Sequence, residues 1–424
     1  MTDRTAMRRI AVLMATVFVD MIGFLIVLPL LPYYGERFGA TETTIGLLIS
    51  VFAFAQLASA PLWGRLSDRW GRRPVILGSL LVSAVAFVTF GLAESVWPLF
   101  LSRLIQGVGG GTTGVVQAYV SDSVGPEQRT RALGWLTAAT SAGVMLGPLL
   151  GSAAAAVGAS LPGFLAAGLC LANFAFAWKL LPESIGGRDE ETAGAAVDGA
   201  PAPPPAPRTS LAQAILRVLA HPASERSRLV WVYALGMMAF MAMNGVIVLY
   251  LDRAFGVSEH QIGWFYTYVG GVSLLMRALL LGPINHRLGD VKTMRVGALA
   301  LALGLALAPV PRSFLGLGLV ILLVPVGTAL LFPATTSLVS RLSERRETGQ
   351  NLGVQQGFGG VARMVGPIWS TAVFQHVGLA APFWMAAGLM GLVILVSFGV
   401  HPPPRPARPG QPPPAEAAPP VEPS

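Results

Sequence analysis

GRLSDRWGRRP, residues 64–74, puts five charges into eleven positions: Arg65, Asp68, Arg69, Arg72 and Arg73. Neither 43–63 before it nor 74–93 after it contains a charged residue. Each flank matches the roughly 20 apolar residues that cross a bilayer. The stretch therefore reads as a short loop clasped between two membrane helices. Gly64 and Gly71 let the chain turn tightly and let helices approach.

The whole chain follows the same pattern. It is 53% hydrophobic and only 12% charged over 424 residues, about half the charge of a soluble domain. A net charge of +8 could suggest nucleic acid. The basic residues instead sit in short clusters between apolar runs, which is how membrane orientation is encoded. Cys170 is the only cysteine, which excludes an intramolecular disulfide and a cysteine-based metal site. Arg4, Arg8 and Arg9 precede an apolar run from Ile10 to about Leu31 with no small-residue cleavage site after it, so that run is read as a retained first helix.

Twelve apolar runs are expected to span: 10–32, 43–63, 74–93, 97–119, 131–157, 161–181, 228–251, 259–282, 292–310, 314–339, 351–376 and 379–400. Of 29 Lys and Arg, Arg37, Arg253 and Arg312 follow odd-numbered spans, Arg103, Arg277 and Arg363 lie inside spans, and the other 23 fall in the two tails, at even-span loops or at the cytoplasmic ends of spans. The positive-inside rule then places both termini in the cytoplasm of a multi-pass inner-membrane protein. The reading is an all-α integral membrane protein of two six-helix bundles, 1–184 and 228–401. A cytoplasmic linker (185–227) joins them, and a disordered Pro-rich tail (402–424) follows. Leu211–Leu219 within the linker is expected to form a short surface helix.

The halves repeat. GRLSDRWGR at 64 aligns with GPINHRLGD at 282, and RALGWLTAATSAGVMLGP, ending at Pro148, aligns with QNLGVQQGFGGVARMVGP, ending at Pro367. Parallel repeats about an axis normal to the membrane imply a cavity between the halves, exposed alternately to the two sides.

These residues carry a resemblance. GRLSDRWGRRP between spans two and three resembles motif A of the major facilitator superfamily. RLIQG at 103–107 resembles its motif B, and GVMLGPLLG at 143–151 its antiporter motif C. VDMIGFLIVLPLLP at 19–32 resembles the first span of the tetracycline-efflux-like, twelve-helix drug/proton antiporters. The resemblance implies efflux. It also implies a cytoplasmic latch between spans two and eleven, carried by Gly64, Asp68, Arg69, Gly71, Arg72 and Arg73. A latch that breaks each cycle needs modest ion pairs. In the second copy His286 replaces the aspartate and Asp290 an arginine, so no matching latch is expected there.

Asp20 is the only acidic residue near the middle of a span, and such residues mark ion pathways. Burial favours its neutral form and a nearby guanidinium its charged form, a balance that suits loading and release of a proton. Arg103 in span four is the expected partner, and Gln106, one turn on, is placed to hydrogen-bond either group. A proton-coupling site and a static structural pair both fit these residues. Gly143, Gly147 and Gly151 share one helix face, where small residues let backbones touch. Pro148 removes a donor between them. That packing is expected to seal the two halves. Asn244, Gln355, Gln356 and Arg363 are candidate cavity groups. Arg363 has no acidic partner in the membrane core of its own half; a cavity site for an anionic substrate, and contacts to carbonyls or to Asp20 across the halves, both fit it.

GGGTTG at 109–114 fits a dinucleotide fingerprint but lies inside span four, so that reading fails. No ATP-binding loop, zinc cluster or nucleophile constellation is present. No enzyme, cofactor or metal is expected. The expected partners are the lipid bilayer, a small-molecule substrate and protons, not nucleic acid, with the chain acting as a monomer. The leading functional reading is proton-coupled efflux of small lipophilic compounds or drugs by alternating access. A metabolite importer or facilitator, and a lipid translocator or non-transporting receptor, remain open.

Overall fold

The computed structural model describes residues 3–123, 126–182, 211–343 and 347–401. Most of the expected linker and all of the expected tail lie outside these residues. Among the described residues each expected span is helical. Span one is Asp3–Val27, continued through a 3-10 turn at Leu28–Leu30 into Leu31–Arg37. Pro29 and Pro32 fall at that change of helix type, where each removes a backbone donor. Span two is Glu42–Trp70, started by the Thr41 hydroxyl, which accepts from the Thr44 amide at 3.3 Å. Spans three, five and six are Arg72–Gly91, Pro126–Val157 and Leu161–Leu180. Span four breaks after its glycine run into Val96–Gly110 and Thr113–Ser123.

The second half repeats this order. Span seven is Glu225–Phe255, eleven is Thr348–His376 and twelve is Ala381–Ser397. Span ten is Phe314–Ile321 followed by Leu323–Leu342. Span eight runs through Ile262–Leu275 and a π-helical turn at Met276–Leu280, then into the Leu281–Leu307 helix, which breaks at Gly289. Span eight therefore extends beyond the expected residue 282, and span nine starts at Asp290. Arg277 lies on the π turn and is exposed. The helix expected in the linker is Leu211–Ala220. It buries Ala214 and Val218 against Val230 of span seven and Val354 of span eleven.

Eight helical stretches among the described residues are long and apolar enough to cross a membrane unaided. The difference from twelve has physical causes. Spans eight and nine form one continuous run, Ile262–Leu307. Span four is split at its glycines, span twelve is only 17 residues long, and span eleven carries Asn351, Gln355, Gln356 and Arg363.

The packing obeys the repeat. Span one packs on five and six, three on four and six, and two on four. Adding six to each number gives the second half: seven on eleven and twelve, nine on ten and twelve, eight on ten. Between the halves, two packs on eleven, and its image, eight, packs on five. These two seams flank the space between the bundles.

Candidate functional site

Arg103 is fully buried. Its Nη1 donates to Oε1 of Gln106, one turn along the same helix. The guanidinium lies 4.7 Å from the ring centre of Phe52 and 5.7 Å from that of Phe24. Cation–π contacts of this kind stabilise more when water is excluded. Nε and Nη2 have no hydrogen-bond partner. The expected ion pair with Asp20 is therefore not formed. Asp20 is partly exposed and precedes Phe24 by one helical turn. Phe24 and Phe52, in tilted contact at 4.9 Å, cover the guanidinium from spans one and two. The structure thus holds two opposite charges in the N-terminal half without joining them.

The glycines of span four have a packing role. A side chain at Gly107 would strike the Phe52 carbonyl and Ala55, and one at Gly111 would strike Ser59, all in span two. Gln56 of span two donates to the Gly110 carbonyl at 3.0 Å, and Trp63 donates to that of Val108 at 2.6 Å.

In span five the three motif C glycines face span one, not the other half. A Cβ at Gly143 would lie 2.7 Å from Met21, one at Gly147 would lie 2.7 Å from Leu25, and one at Gly151 would overlap the Ile26 carbonyl. Their backbone approach closes the N-terminal bundle itself. The seal between halves uses the adjacent face. There Gly263 of span eight meets the Pro148 carbonyl and Ser152, and Gly270 meets Met145. The Thr267 hydroxyl donates to the Met145 carbonyl at 3.0 Å, and the Gly263 amide donates to the Ser152 hydroxyl at 2.9 Å. At the other seam Gly46 of span two abuts Pro367 and Thr371 of span eleven, and Gly360 abuts Leu57.

Polar contacts between halves gather at the rim that carries the loops after odd-numbered spans. Arg37 pairs with Glu259 at 2.8 Å. Arg253 pairs with Glu42 and, at 3.4 Å, with Glu36. The Tyr33 hydroxyl donates to the Val257 carbonyl at 2.6 Å, and that of Thr43 to Gln375 at 2.6 Å. Arg37 and Arg253, two of the three cations that depart from the charge rule, thus each have a carboxylate in the opposite half. This rim is closed.

At the opposite rim, Gly64 lies inside the span-two helix with open space around it. Gly71 alone makes the turn, at φ 102° and ψ 160°. Arg72 donates to Asp68 at 2.6 Å, to Ser67 at 2.6 Å and to Asp122 of span four at 3.4 Å. Arg73 donates to the Trp178 carbonyl of span six at 2.5 Å. Asp68 is mostly exposed. Its ion pair lies within its own loop, and does not reach the span-eleven helix that a latch would engage. The second copy repeats the geometry with the charges inverted. Gly289 turns at φ 75°, and Asp290 replaces Arg72. Asp290 pairs with Arg341 of span ten at 3.2 Å and accepts from Asn285 at 2.7 Å and from Ser337 at 3.3 Å.

The candidate cavity residues of the C-terminal half separate. Asn244 spends its amide on the Phe240 carbonyl of its own helix, at 2.8 Å. Gln355 is fully buried with neither amide atom hydrogen-bonded. Gln356 accepts from the Tyr233 hydroxyl at 3.4 Å. Arg363 is partly exposed. Tyr233, Met237, Met238, Phe240, Met241 and Phe332 form an apolar cluster beside them.

Comparison with known proteins agrees with this architecture. The family model of the Major Facilitator Superfamily matches residues 13–250 and 229–423. "Multidrug resistance protein 2" of Bacillus subtilis (strain 168) is 26% identical over 391 residues, covering 92% of this chain and 93% of that protein. "Tetracycline resistance protein, class B" of Escherichia coli is 25% identical over 369 residues, covering 86% and 87%. Among solved structures, a bacterial homolog of the human lysosomal transporter Spinster superposes with a TM-score of 0.76 at 14% identity, covering 94% of this chain and 98% of that one. The human organic anion transporter MFSD10 (TETRAN) superposes at 0.68 with 24% identity, covering 92% and 99%. The chain belongs to the Major Facilitator Superfamily: it is a multi-pass membrane transporter of small molecules and not an enzyme.

Proposed function

We propose that this transporter exports small lipophilic compounds in exchange for protons, as a monomer in the cell membrane with both termini in the cytoplasm. Asp20 carries the reading: it is the only carboxylate near the middle of a span, and it is partly exposed and unpaired with Arg103. A carboxyl group so placed can take a proton without first breaking an ion pair. The names of the relatives, multidrug and tetracycline resistance proteins, favour efflux of drug-like molecules. In the cycle, protonation of Asp20 removes its charge, and deprotonation restores an anion one turn from the face that covers Arg103. The two rims open alternately about the span two–eleven and five–eight seams. Asp68, Arg69, Arg72 and Arg73 would hold the even-loop rim when it closes.

The test uses purified protein in proteoliposomes with an imposed pH gradient. Proton movement is followed on adding a panel of lipophilic compounds that includes tetracyclines. Substrate-induced proton release is expected for the wild type and is expected to be lost in Asp20→Asn. Release that persists in the variant moves the coupling site elsewhere. Absence of any release from folded wild type overturns antiport.

A further inference from the structure

Resting on the transport reading above, the geometry points to an acidic group in the substrate, received by Arg363. Gly359 and Gly366 of span eleven meet Tyr233 and Met241 of span seven, while Gly360 and Pro367 meet Leu57 and Gly46 of span two. At roughly 100° per residue, Arg363 lies between these two faces. Val361, 45% exposed, points away from both. Arg363 thus faces the wedge between spans seven and two, inside the protein and away from lipid.

Among the described residues no carboxylate forms an ion pair with it, Asp20 of the other half included, and its own half offers none at its depth. Asp252, Glu259, Asp290, Glu344 and Glu347, the acidic residues between 228 and 401, all lie at span ends or in loops. Asp290 is engaged with Arg341 and Glu259 with Arg37. A guanidinium cannot lose its proton, so this wall of the cavity carries a fixed positive charge. Gln356, two turns before Arg363 on the same face, accepts from Tyr233 through its oxygen, and its amide NH2 remains a donor. The neighbouring wall of Met237, Met238, Met241, Phe240 and Phe332 is flexible and apolar, suited to varied hydrophobic bodies. One cation and one amide donor beside a methionine-rich wall describe a receptor for amphiphiles with a single carboxylate or comparable anion. A cationic drug would meet repulsion here.

The experiment compares two probes with one apolar body: N-dansyl-leucine and its carboxamide, which lacks the charge. Binding is read by dansyl fluorescence on the full chain in lipid nanodiscs, with no proton gradient. Wild type is expected to bind the acid about tenfold or more tightly than the amide, an increment of about 1.4 kcal/mol. Arg363→Gln is expected to remove that preference while leaving amide binding unchanged, and Arg363→Lys is expected to keep most of it. Equal binding of the two probes by wild type overturns the inference, as does no binding of either by folded protein. A preference that survives in Arg363→Gln does the same. If the glutamine variant does not fold, wild type and Arg363→Lys still decide. Because no gradient is applied, loss of proton coupling would leave this result standing, and equal binding would leave antiport standing.

Discussion

Asp290, at the start of span nine, pairs with Arg341, at the end of span ten, where the first half pairs Arg72 with Asp122 at the matching positions. The repeat has kept the bridge and exchanged its ends. Asp290 is buried while Arg341 is 60% exposed, so the two partners are not equivalent. Removing Asp290 also strands Asn285 and Ser337. Asp290→Arg is expected to lower the thermal midpoint clearly. Adding Arg341→Asp is expected to recover part of the loss, with a coupling energy of about 0.5–3 kcal/mol. Thermal unfolding of both singles and the double in detergent measures it. Strict additivity would show that the pair carries no energy.

The two glycines of the 64–74 loop should respond differently. Gly71 sits at φ 102° and ψ 160°, a region nearly closed to other residues and costing about 1–3 kcal/mol. Gly64 is helical with nothing near its missing Cβ. Gly71→Ala is therefore expected to destabilise by that amount. Gly64→Ala is expected to be neutral or to gain up to about 1 kcal/mol of helix propensity. Unfolding midpoints of the two variants decide, and an equal loss in both would contradict the assignment.

The span five–eight seam should act as a conformational set point. A methyl group on Gly263 would lie 2.5 Å from the Pro148 carbonyl and 2.8 Å from Ser152, and overpacking of this kind costs about 1–3 kcal/mol. Gly263→Ala is expected to push the odd-loop rim open without unfolding either bundle. Spin labels at Glu94 and His260, both exposed in odd loops, should report a longer distance. Cys170 is fully buried, so it should not take label. An unchanged distance would place the set point elsewhere.

The helices were legible because each apolar run is long and the charges between runs are few. The repeat was legible because GRLSDRWGR and GPINHRLGD keep their spacing, and both carry a positive-φ glycine, Gly71 and Gly289, at the eighth position. What escaped the sequence was partnership. Arg103 took the hydrogen bond to Gln106 that the sequence offered but not the ion pair to Asp20, and its aromatic cover depends on how spans one and two dock. The motif C glycines look alike on a helical wheel whether they face span one or span eight, and only packing decides. Glu36, Glu42 and Glu259 did leave a signal: they are carboxylates close in sequence to the two odd-loop arginines, Arg37 and Arg253, that broke the charge pattern. The charge-inverted bridge left one as well, since the replacement of Arg72 by Asp290 is accompanied by Arg341 in place of Asp122.

Arg103 is enclosed by protein, with no solvent at its surface. Dissolved ions screen charges within about 10 Å at 0.1 M ionic strength only where they can enter. Raising salt should therefore loosen Arg253–Glu42 and Arg37–Glu259 at the rim, where side chains are partly wet, and leave Arg103 untouched. The protein behaves as a capacitor with one plate sealed: the bath can tune the voltage on the rim, but the charge at the centre of the first bundle is set by the fold.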